Sequence, residues 1–146
     1  MGTANWTSGV PFLFVSVRDR AALARVRLNG GAWERHLAGA WAPHLYVVTD
    51  DADAGASLRA RMFAPAMGIG EDPATGGAVT ALAGLLAARD AARDGTLRWV
   101  VEQGVEMGRP SRLHVEADVR GGAVTAVRVG GAAVRVSEGE MTLPDA

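Results

Sequence analysis

The chain has 146 residues, 49% of them hydrophobic and 21% charged, and a formal net charge of −1. This balance is typical of a globular domain and, with the arginines dispersed along the chain, excludes intrinsic disorder and a polyanion-binding surface. The sequence contains no cysteine, and all fifteen basic residues are arginine, so disulfides, thiolate metal sites, cysteine nucleophiles and lysine Schiff bases are excluded as well.

The sequence shows no pattern typical of targeting, membrane insertion or metal binding. No apolar run reaches the roughly 20 residues that a membrane-spanning helix needs, and the first six residues lack a basic region followed by an apolar stretch. We therefore expect a cytoplasmic protein without a membrane or nucleic-acid partner. The histidines are too widely spaced for a typical metal-binding pair, so we expect no metal; they are His36, His44 and His114.

The first elements in chain order are a strand and two short helices. Aromatic and β-branched residues form a continuous apolar run over Val10–Val17, which predicts a strand buried on both faces. Asp19 then precedes a helical pattern over residues 21–26, and we expect Asn29–Gly31 to end that helix. The pattern over Trp33–Ala38 is compatible with a second short helix.

Two strands and the longest helix come next. His44–Thr49 and Ser57–Phe63 are strand candidates, and the short acidic turn between them predicts a hairpin. A loop rich in proline and glycine leads into a helix predicted from about Gly77 to Arg93, with Thr75 as its cap. Over its first three turns this helix has almost no polar face, which is typical of a buried helix.

The last part of the chain has the alternating pattern of β-strands. Glycine turns separate most of the four predicted segments, which are Arg98–Glu106, Leu113–Val119, Ala123–Val129 and Ala132–Val136. No repeat or low-complexity tract divides the chain, so we expect one domain over residues 1–146. The predicted class is α+β, with a mostly antiparallel, curved, barrel-like sheet wrapped around one central buried helix.

The loop before the long helix carries the candidate site. A loop that ends at Thr75, Gly76 and Gly77 and opens a buried helix presents unpaired amides at the positive end of the helix dipole. Glycine lets an anion approach these amides closely, so they predict a site for a substrate carboxylate. Asp72 lies at the mouth of this loop and is the candidate for proton transfer and substrate binding. The alternative is that Asp72 only accepts hydrogen bonds from the turn.

Several sequence blocks closely match one family. Arg61–Pro65 and the run Gly68-Ile69-Gly70-Glu71-Asp72-Pro73-Ala74-Thr75-Gly76 resemble the signature of PhzF-like proteins of phenazine biosynthesis. Ser8–Phe12, Glu102–Ser111 and Val129–Val134 match in the same order. The chain therefore resembles the C-terminal lobe of a PhzF-like protein, which implies a single lobe of the diaminopimelate-epimerase-like fold.

This resemblance implies an isomerase that shifts a proton on a small acid without metal or organic cofactor, in a cleft between two similar lobes. It implies that the aspartate matching Asp72 binds substrate and relays a proton. The principal acid/base glutamate and a histidine partner would lie in the N-terminal lobe, which this sequence does not contain. Position 77, where the family commonly has serine, is glycine here.

Two functions remain open at this stage. The lobe is either half of an isomerase completed by a separate N-terminal-lobe polypeptide, or a non-catalytic binding or remnant domain that forms a homodimer. We favour self-association for the isolated lobe, because a lobe without its partner would expose an apolar cleft. Arg109 is expected to pair with Glu102 or Glu106 across a turn instead of binding substrate.

Overall fold

The structure is a computed structural model that describes residues 3–91 and 94–142. Eight strands of this part of the chain form one curled sheet, accompanied by three α-helices. The strands are β1 (Thr3–Thr7), β2 (Pro11–Ser16), β3 (His44–Thr49), β4 (Leu58–Ala64), β5 (Ile69–Asp72), β6 (Gly95–Gln103), β7 (Ser111–Arg120) and β8 (Ala123–Gly130). The helices are α1 (Arg20–Arg25), α2 (Gly30–His36) and α3 (Gly76–Arg89). None of the described helices combines the length and apolar character needed to cross a membrane.

The sheet follows the order β1-β2-β3-β4-β6-β7-β8, and β5 pairs with β4 outside this path. Most neighbouring strands are antiparallel, but β2 and β3 are parallel, as are β4 and β6. The predicted hairpin of β3 and β4 is confirmed, with Leu45 opposite Phe63. The α+β class and the curved sheet are also confirmed, and the chain forms a single lobe.

The centre of the lobe is α3, whose surface is apolar on nearly all sides. It packs against β1 and β2 on one side and against β7 and β8 on the other. Its small side chains let the sheet approach closely, and the buried residues are Ala78, Val79, Ala81, Leu82, Ala83, Gly84, Leu85 and Ala87. The prediction of one central buried helix is therefore confirmed. The helix ends at Arg89 because the Asp90 backbone is extended, and the predicted end at Arg93 lies outside the described residues.

The opposite face of the sheet carries a smaller apolar cluster beneath α1. Leu23 of α1 packs there against Val47 and Phe63 of β3 and β4. The Asp19 carboxylate caps α1 by accepting a hydrogen bond from the Ala22 amide at 2.6 Å.

Three sequence-based expectations require correction. Asn29 does not end α1, which already stops at Arg25; its side chain caps α2 by accepting from the amide of Ala32. The strand predicted over Arg98–Glu106 lies earlier, at Gly95–Gln103, because Gly104 turns the backbone to a φ of 78°. No strand forms over residues 132–136, since β8 leaves the sheet at Gly130 and the chain that follows has no strand partner among the described residues.

Candidate functional site

Two strand ends meet along one edge of β4 and bring Asp72 and Gln103 together. Ala60 of β4 lies opposite Gln103, the last residue of β6. Two residues further along β4, Met62 lies opposite Asp72, the last residue of β5. Because residues two apart in a strand face the same side, both polar side chains are directed toward the α3 side of the sheet. This arrangement is how the fold places a carboxylate at the start of α3.

Asp72 is held by its neighbour in the loop but is not fully engaged. Its Oδ2 accepts a hydrogen bond of 2.6 Å from the hydroxyl of Thr75, a short bond of the charge-assisted kind. Within the described part of the chain, Oδ1 of Asp72 has no hydrogen-bond partner. The side chain is half-buried, so this second oxygen remains available to a ligand.

A buried amide fixes the position of the loop. Nε2 of Gln103 donates to the Asp72 carbonyl oxygen at 2.6 Å and to Oγ1 of Thr75 at 2.9 Å. Its Oε1 accepts from the hydroxyl of Tyr46 at 2.9 Å and from the Thr75 amide at 3.3 Å. Burial raises the pKa of Tyr46, with a smaller contribution from the charge of Asp72, so the phenol stays protonated and donates. We call Asp72, Thr75, Gln103 and Tyr46 the inner network.

Thr75 occupies the N-cap position of α3, but its side chain does not cap the helix. The expectation that it caps the helix is wrong because its hydroxyl donates to Asp72 instead. Its own amide is also engaged, by Gln103. The amides of Gly76 and Gly77 begin the helix, where helix geometry provides no intrahelical acceptor. These two amides therefore form the open end of the helix dipole.

The start of α3 borders an open cleft of about 550 Å³. Gly76 lines this cleft together with the first residues of β7 and the chain that leaves β8, residues 110–114 and 129–132. Gly77 is exposed, and a Cβ atom added there would lie 3.9 Å from the ring of Phe12, an ordinary van der Waals distance. Packing therefore leaves room at position 77 for the serine that the resemblance leads one to expect.

Glu71 lies outside the site although it precedes Asp72. Successive side chains of a strand point to opposite faces, and Glu71 forms two bonds with Arg61, of 2.7 and 2.8 Å. The remaining Arg61 nitrogen, Nη1, donates at 3.0 Å to the carbonyl oxygens of Leu23 and Val26. The bond to Glu71 raises the pKa of Arg61. We call Arg61, Glu71 and these two carbonyls the outer clamp.

Gly104 connects the loop to the turn that carries Arg109. A Cβ atom at this glycine would lie 2.9 Å from the Pro73 carbonyl oxygen and would overlap that of Arg109. The expected ion pair of Arg109 with Glu102 or Glu106 is wrong, because Arg59 bonds Glu106 and the Asp53 amide bonds Glu102. Arg109 is exposed and makes no ion pair with any described residue.

Sequence reasoning missed Gln103 and Gly104 as organisers of the loop. Both lie in a block that resembles the family, and a glutamine at the end of an apolar strand was the available signal. For metals, the described residues contain no group of three or more histidine, aspartate or glutamate side chains that could hold an ion.

Comparison with known proteins supports the resemblance. The profile of the PhzC-PhzF family, described as phenazine biosynthesis-like protein, matches residues 3–139. An uncharacterized isomerase of Mesorhizobium japonicum is 38% identical over 143 residues, covering 94% of this chain and 47% of that protein. The trans-2,3-dihydro-3-hydroxyanthranilate isomerase of Pseudomonas aeruginosa is 37% identical over 138 residues, with the same two coverages.

Solved structures agree on the fold. The Bacillus anthracis phenazine biosynthesis protein of the PhzF family superposes with a TM-score of 0.67 at 22% identity, covering 77% of this chain and 38% of that one. The chain thus spans about half the length of the curated relatives it matches.

Proposed function

Since this chain belongs to the phenazine biosynthesis-like protein family, we propose that it is an isomerase lobe that contributes a carboxylate-binding half-site. The proposed reaction is a cofactor-independent proton shift on a small acid. One relative acts, by its name, on trans-2,3-dihydro-3-hydroxyanthranilate, and we propose a substrate of that kind, a small ring or amino acid bearing a carboxylate.

The observation that carries this proposal is the mouth of α3. A half-buried carboxylate with one unbonded oxygen is bonded to Thr75, the residue before the first turn of a buried helix, and Gly76 of that turn lines a cleft. A helix N-terminus stabilises an anion through its amides and its dipole. Asp72 beside it supplies a group that accepts or returns a proton.

We assign each residue of the half-site one role in this proposal. The amides of Gly76 and Gly77 hold the substrate carboxylate, and glycine at both positions lets it come close to the backbone. Asp72 contacts the substrate and holds or relays a proton at Oδ1. Thr75 keeps Asp72 in place through its hydroxyl, since its amide is engaged by Gln103. The second lobe supplies the principal acid/base group and closes the cleft to water.

A binding measurement tests the half-site directly. Titration of the isotope-labelled chain with 3-hydroxyanthranilate, an aromatic analogue of the named substrate, should shift the amide resonances of Gly76 and Gly77. Asp72→Asn should weaken this binding about tenfold, while Asp50→Asn, an exposed carboxylate at the far end of β3, should leave it unchanged. Saturation with no shift at Gly76 and Gly77 would reject the half-site.

Catalysis is tested by deuterium exchange. In deuterated water, the chain combined with an N-terminal lobe from a family member should incorporate deuterium into trans-2,3-dihydro-3-hydroxyanthranilate, and Asp72→Asn should abolish the exchange. If the exchange survives in Asp72→Asn, this residue has no part in the mechanism.

A second candidate function is a non-catalytic, homodimeric binding or remnant domain. The glycine at position 77 favours it, because the side-chain donor expected there is missing although space for it exists. This alternative is supported if 3-hydroxyanthranilate binds at Gly76 and Gly77 but no combination with an N-terminal lobe exchanges a proton.

A further inference from the structure

The face of the sheet opposite α3 contains an apolar groove of about 450 Å³, bounded by residues 26–29, by α2 and by β3 and β4. We call it the outer groove. We propose that it is a second binding site, for a small aromatic carboxylate whose ring lies between α2 and the sheet and whose carboxylate contacts Arg27 and His36. The outer groove is independent of the proposed function, which uses the other face of the sheet.

The floor of the groove consists of side chains of β3 and β4 that point away from α3. Leu45 and Val47 alternate with Tyr46, which lies on the α3 side. Phe63 lies opposite Leu45 on β4. The guanidinium carbon of Arg61 is 5.1 Å from the centre of the Phe63 ring, so the outer clamp supports this ring. The sheet therefore separates the outer groove from the α3 cleft, and a second lobe that closes the cleft lies on the other face.

The roof of the groove is α2, which directs one face toward the sheet without burying it. Ala32, Trp33 and His36 of α2 and the following Leu37 have the spacing of one helix face, and all four line the groove. None of the residues of α2 is buried. A helix of seven residues is too short to be stable without packing. A ring in the groove would supply that packing.

Contacts on either side of α2 hold the roof in position. Before the helix, the Val26 carbonyl oxygen accepts a hydrogen bond of 3.0 Å from Arg61. Within the helix, the indole N–H of Trp33 donates to the Pro43 carbonyl oxygen at 2.8 Å. The groove is therefore present before a ligand binds, as is usual for small-molecule sites, and its volume lies in their range of roughly 300–1,000 Å³.

The rim of the groove offers hydrogen-bond donors and no acid. Arg27 and His36 line it, and no aspartate or glutamate of the described chain does. Arg27 donates through Nη1 to the carbonyl oxygens of Ala24 and Val26, and its Nη2 and Nε have no partner among the described residues. A free guanidinium edge and an imidazole N–H beside an indole and a phenyl ring favour an aromatic anion over a neutral or cationic ring.

Titration with 2-naphthoate tests the proposal. The probe should shift the amide resonances of residues 30–37 in the isotope-labelled chain, with a dissociation constant below about 1 mM. Neutral 2-naphthylmethanol should bind about fivefold more weakly, and cationic 2-naphthylmethylammonium more weakly still. The absence of a saturable shift at residues 30–37, or equal affinities of the three probes, would overturn the proposal.

A substitution that fills the groove locates the apolar contact. Ala32→Phe places a ring in the groove and should lower the affinity for 2-naphthoate at least about tenfold. Ala38→Phe makes the same change at an exposed residue that does not line the groove and should leave the affinity unchanged. Thermal unfolding of both variants checks that they are folded. Unchanged binding in a folded Ala32→Phe variant would reject the groove as the site.

A substitution at the rim locates the carboxylate and does not alter the apolar walls. Arg27→Gln should weaken 2-naphthoate binding about fivefold and 2-naphthylmethanol binding less than about twofold. Arg35→Gln, beside His36 but outside the groove, should change both affinities less than about twofold. Equal losses for the two probes in Arg27→Gln would show that Arg27 does not contact the carboxylate and would overturn the proposal.

The remaining outcomes separate this proposal from other occupants and from the proposed function. If the parent chain is a dimer by light scattering, Ala32→Phe is a monomer and neither responds to 2-naphthoate at residues 30–37, the groove is a protein interface and the proposal fails. Shifts confined to Gly76 and Gly77 would reject the outer groove and support the half-site. A response at residues 30–37 without any response of Gly76 and Gly77 to 3-hydroxyanthranilate would support the outer groove and reject only the half-site.

Discussion

Glu71 and Asp72 are neighbours in β5, yet their side chains belong to two different regions of the molecule. Glu71 points to the outer clamp, where both of its oxygens bond Arg61. Asp72 points to the inner network, where one oxygen bonds Thr75 and the other has no partner among the described residues.

This difference separates a structural carboxylate from a candidate functional one. The outer clamp engages both oxygens of Glu71 and ties α1 to the sheet, since Arg61 also reaches the carbonyls of Leu23 and Val26. The inner network uses its other members to hold Asp72 while leaving it incompletely bonded. A half-buried carboxylate with one oxygen that lacks a hydrogen-bond partner can bind a ligand. In a structural ion pair both oxygens of the carboxylate are already engaged.

We expect the largest loss of stability from a substitution at Gly104, which lies against the backbone of Pro73 in the loop that carries the inner network. Gly104→Ala should lower the free energy of unfolding by about 3 kcal/mol or more, because the backbone has a positive φ and the new Cβ would collide with two carbonyls. Gly108→Ala is the matched control, with a φ of 70° but no atom within 4 Å; it should cost about 1 kcal/mol. Urea denaturation measures both, and equal losses would show that the close approach to Pro73 is unimportant.

Breaking the outer clamp should have the next largest effect and should spare the site. Arg61→Met should lower the free energy of unfolding by about 2–3 kcal/mol, because Glu71 and two carbonyls lose their partner, while partial exposure of Glu71 to solvent limits the cost. Arg98→Met, at a largely exposed ion pair, should cost much less.

Amide spectra then sharpen the comparison. In Arg61→Met the largest chemical-shift changes should lie in α1, and the amides of Gly76 and Gly77 should keep their response to 3-hydroxyanthranilate. Loss of that response in a folded Arg61→Met variant would mean that the two regions are coupled and that the separation drawn here is wrong.

A substitution in the inner network should lower the free energy of unfolding less than Arg61→Met does, but it should weaken ligand binding more. Gln103→Leu should lower the free energy of unfolding by about 2 kcal/mol, because Tyr46 and Thr75 are left with buried unpaired groups. Tyr46→Phe, which removes only one of these bonds, should cost about 1 kcal/mol. Affinity for 3-hydroxyanthranilate should fall in Gln103→Leu more than in Arg61→Met, as measured by the same titration. The reverse order would assign the site to the outer clamp.

Sequence patterns were sufficient for the elements whose signal is local. The apolar surface of α3 predicted a buried helix, and the compositions of β3 and β4 predicted their pairing. These two predictions are confirmed because helix periodicity, β-branched runs and turn residues act over a few neighbouring positions. The loop from Gly68 to Gly76 also made Asp72 the candidate for the site, and that role stays a prediction.

The rest depends on contacts between distant residues. Gln103 reaches Asp72 only because β5 and β6 share one edge of β4, and no local pattern encodes that sharing. β1 was missed because its five residues do not alternate clearly between apolar and polar. Residues 132–136 are predicted as a strand from their alternation, but a strand also requires a partner, and the described part of the chain provides none. The single sequence therefore does not show which strands pair with one another in the sheet.

Restoring the missing hydroxyl at position 77 should change affinity with little effect on stability. Gly77→Ser should strengthen binding of 3-hydroxyanthranilate about fivefold, the value of one additional hydrogen bond to a charged group at a partly exposed site. The new side chain has room beside Phe12, and the first turn of a helix tolerates serine. Ala66→Ser adds the same hydroxyl at an exposed residue that does not line the cleft and should leave the affinity unchanged. Equal affinities of Gly77→Ser and the parent chain would indicate that the carboxylate does not bind at this end of α3.

The smallest effect we expect is a pH dependence of the free energy of unfolding that is caused by His44, on the α3 side of the sheet. His44 is buried beside Phe12, and burial lowers its pKa below the ordinary value of 6.5. Above pH 6.5 the His44 side chain is neutral in both the folded and the unfolded state. Its titration therefore does not change the free energy of unfolding in that range. As the pH falls through 6.5 the unfolded chain binds a proton first, and stability decreases until the lowered pKa of the folded state is reached. His44→Leu should flatten the dependence of the urea midpoint on pH in that window, whereas His114→Leu, at an exposed position of β7, should retain it. A slope that survives in His44→Leu would assign the titration to another group and leave His44 as an ordinary packing residue next to the site.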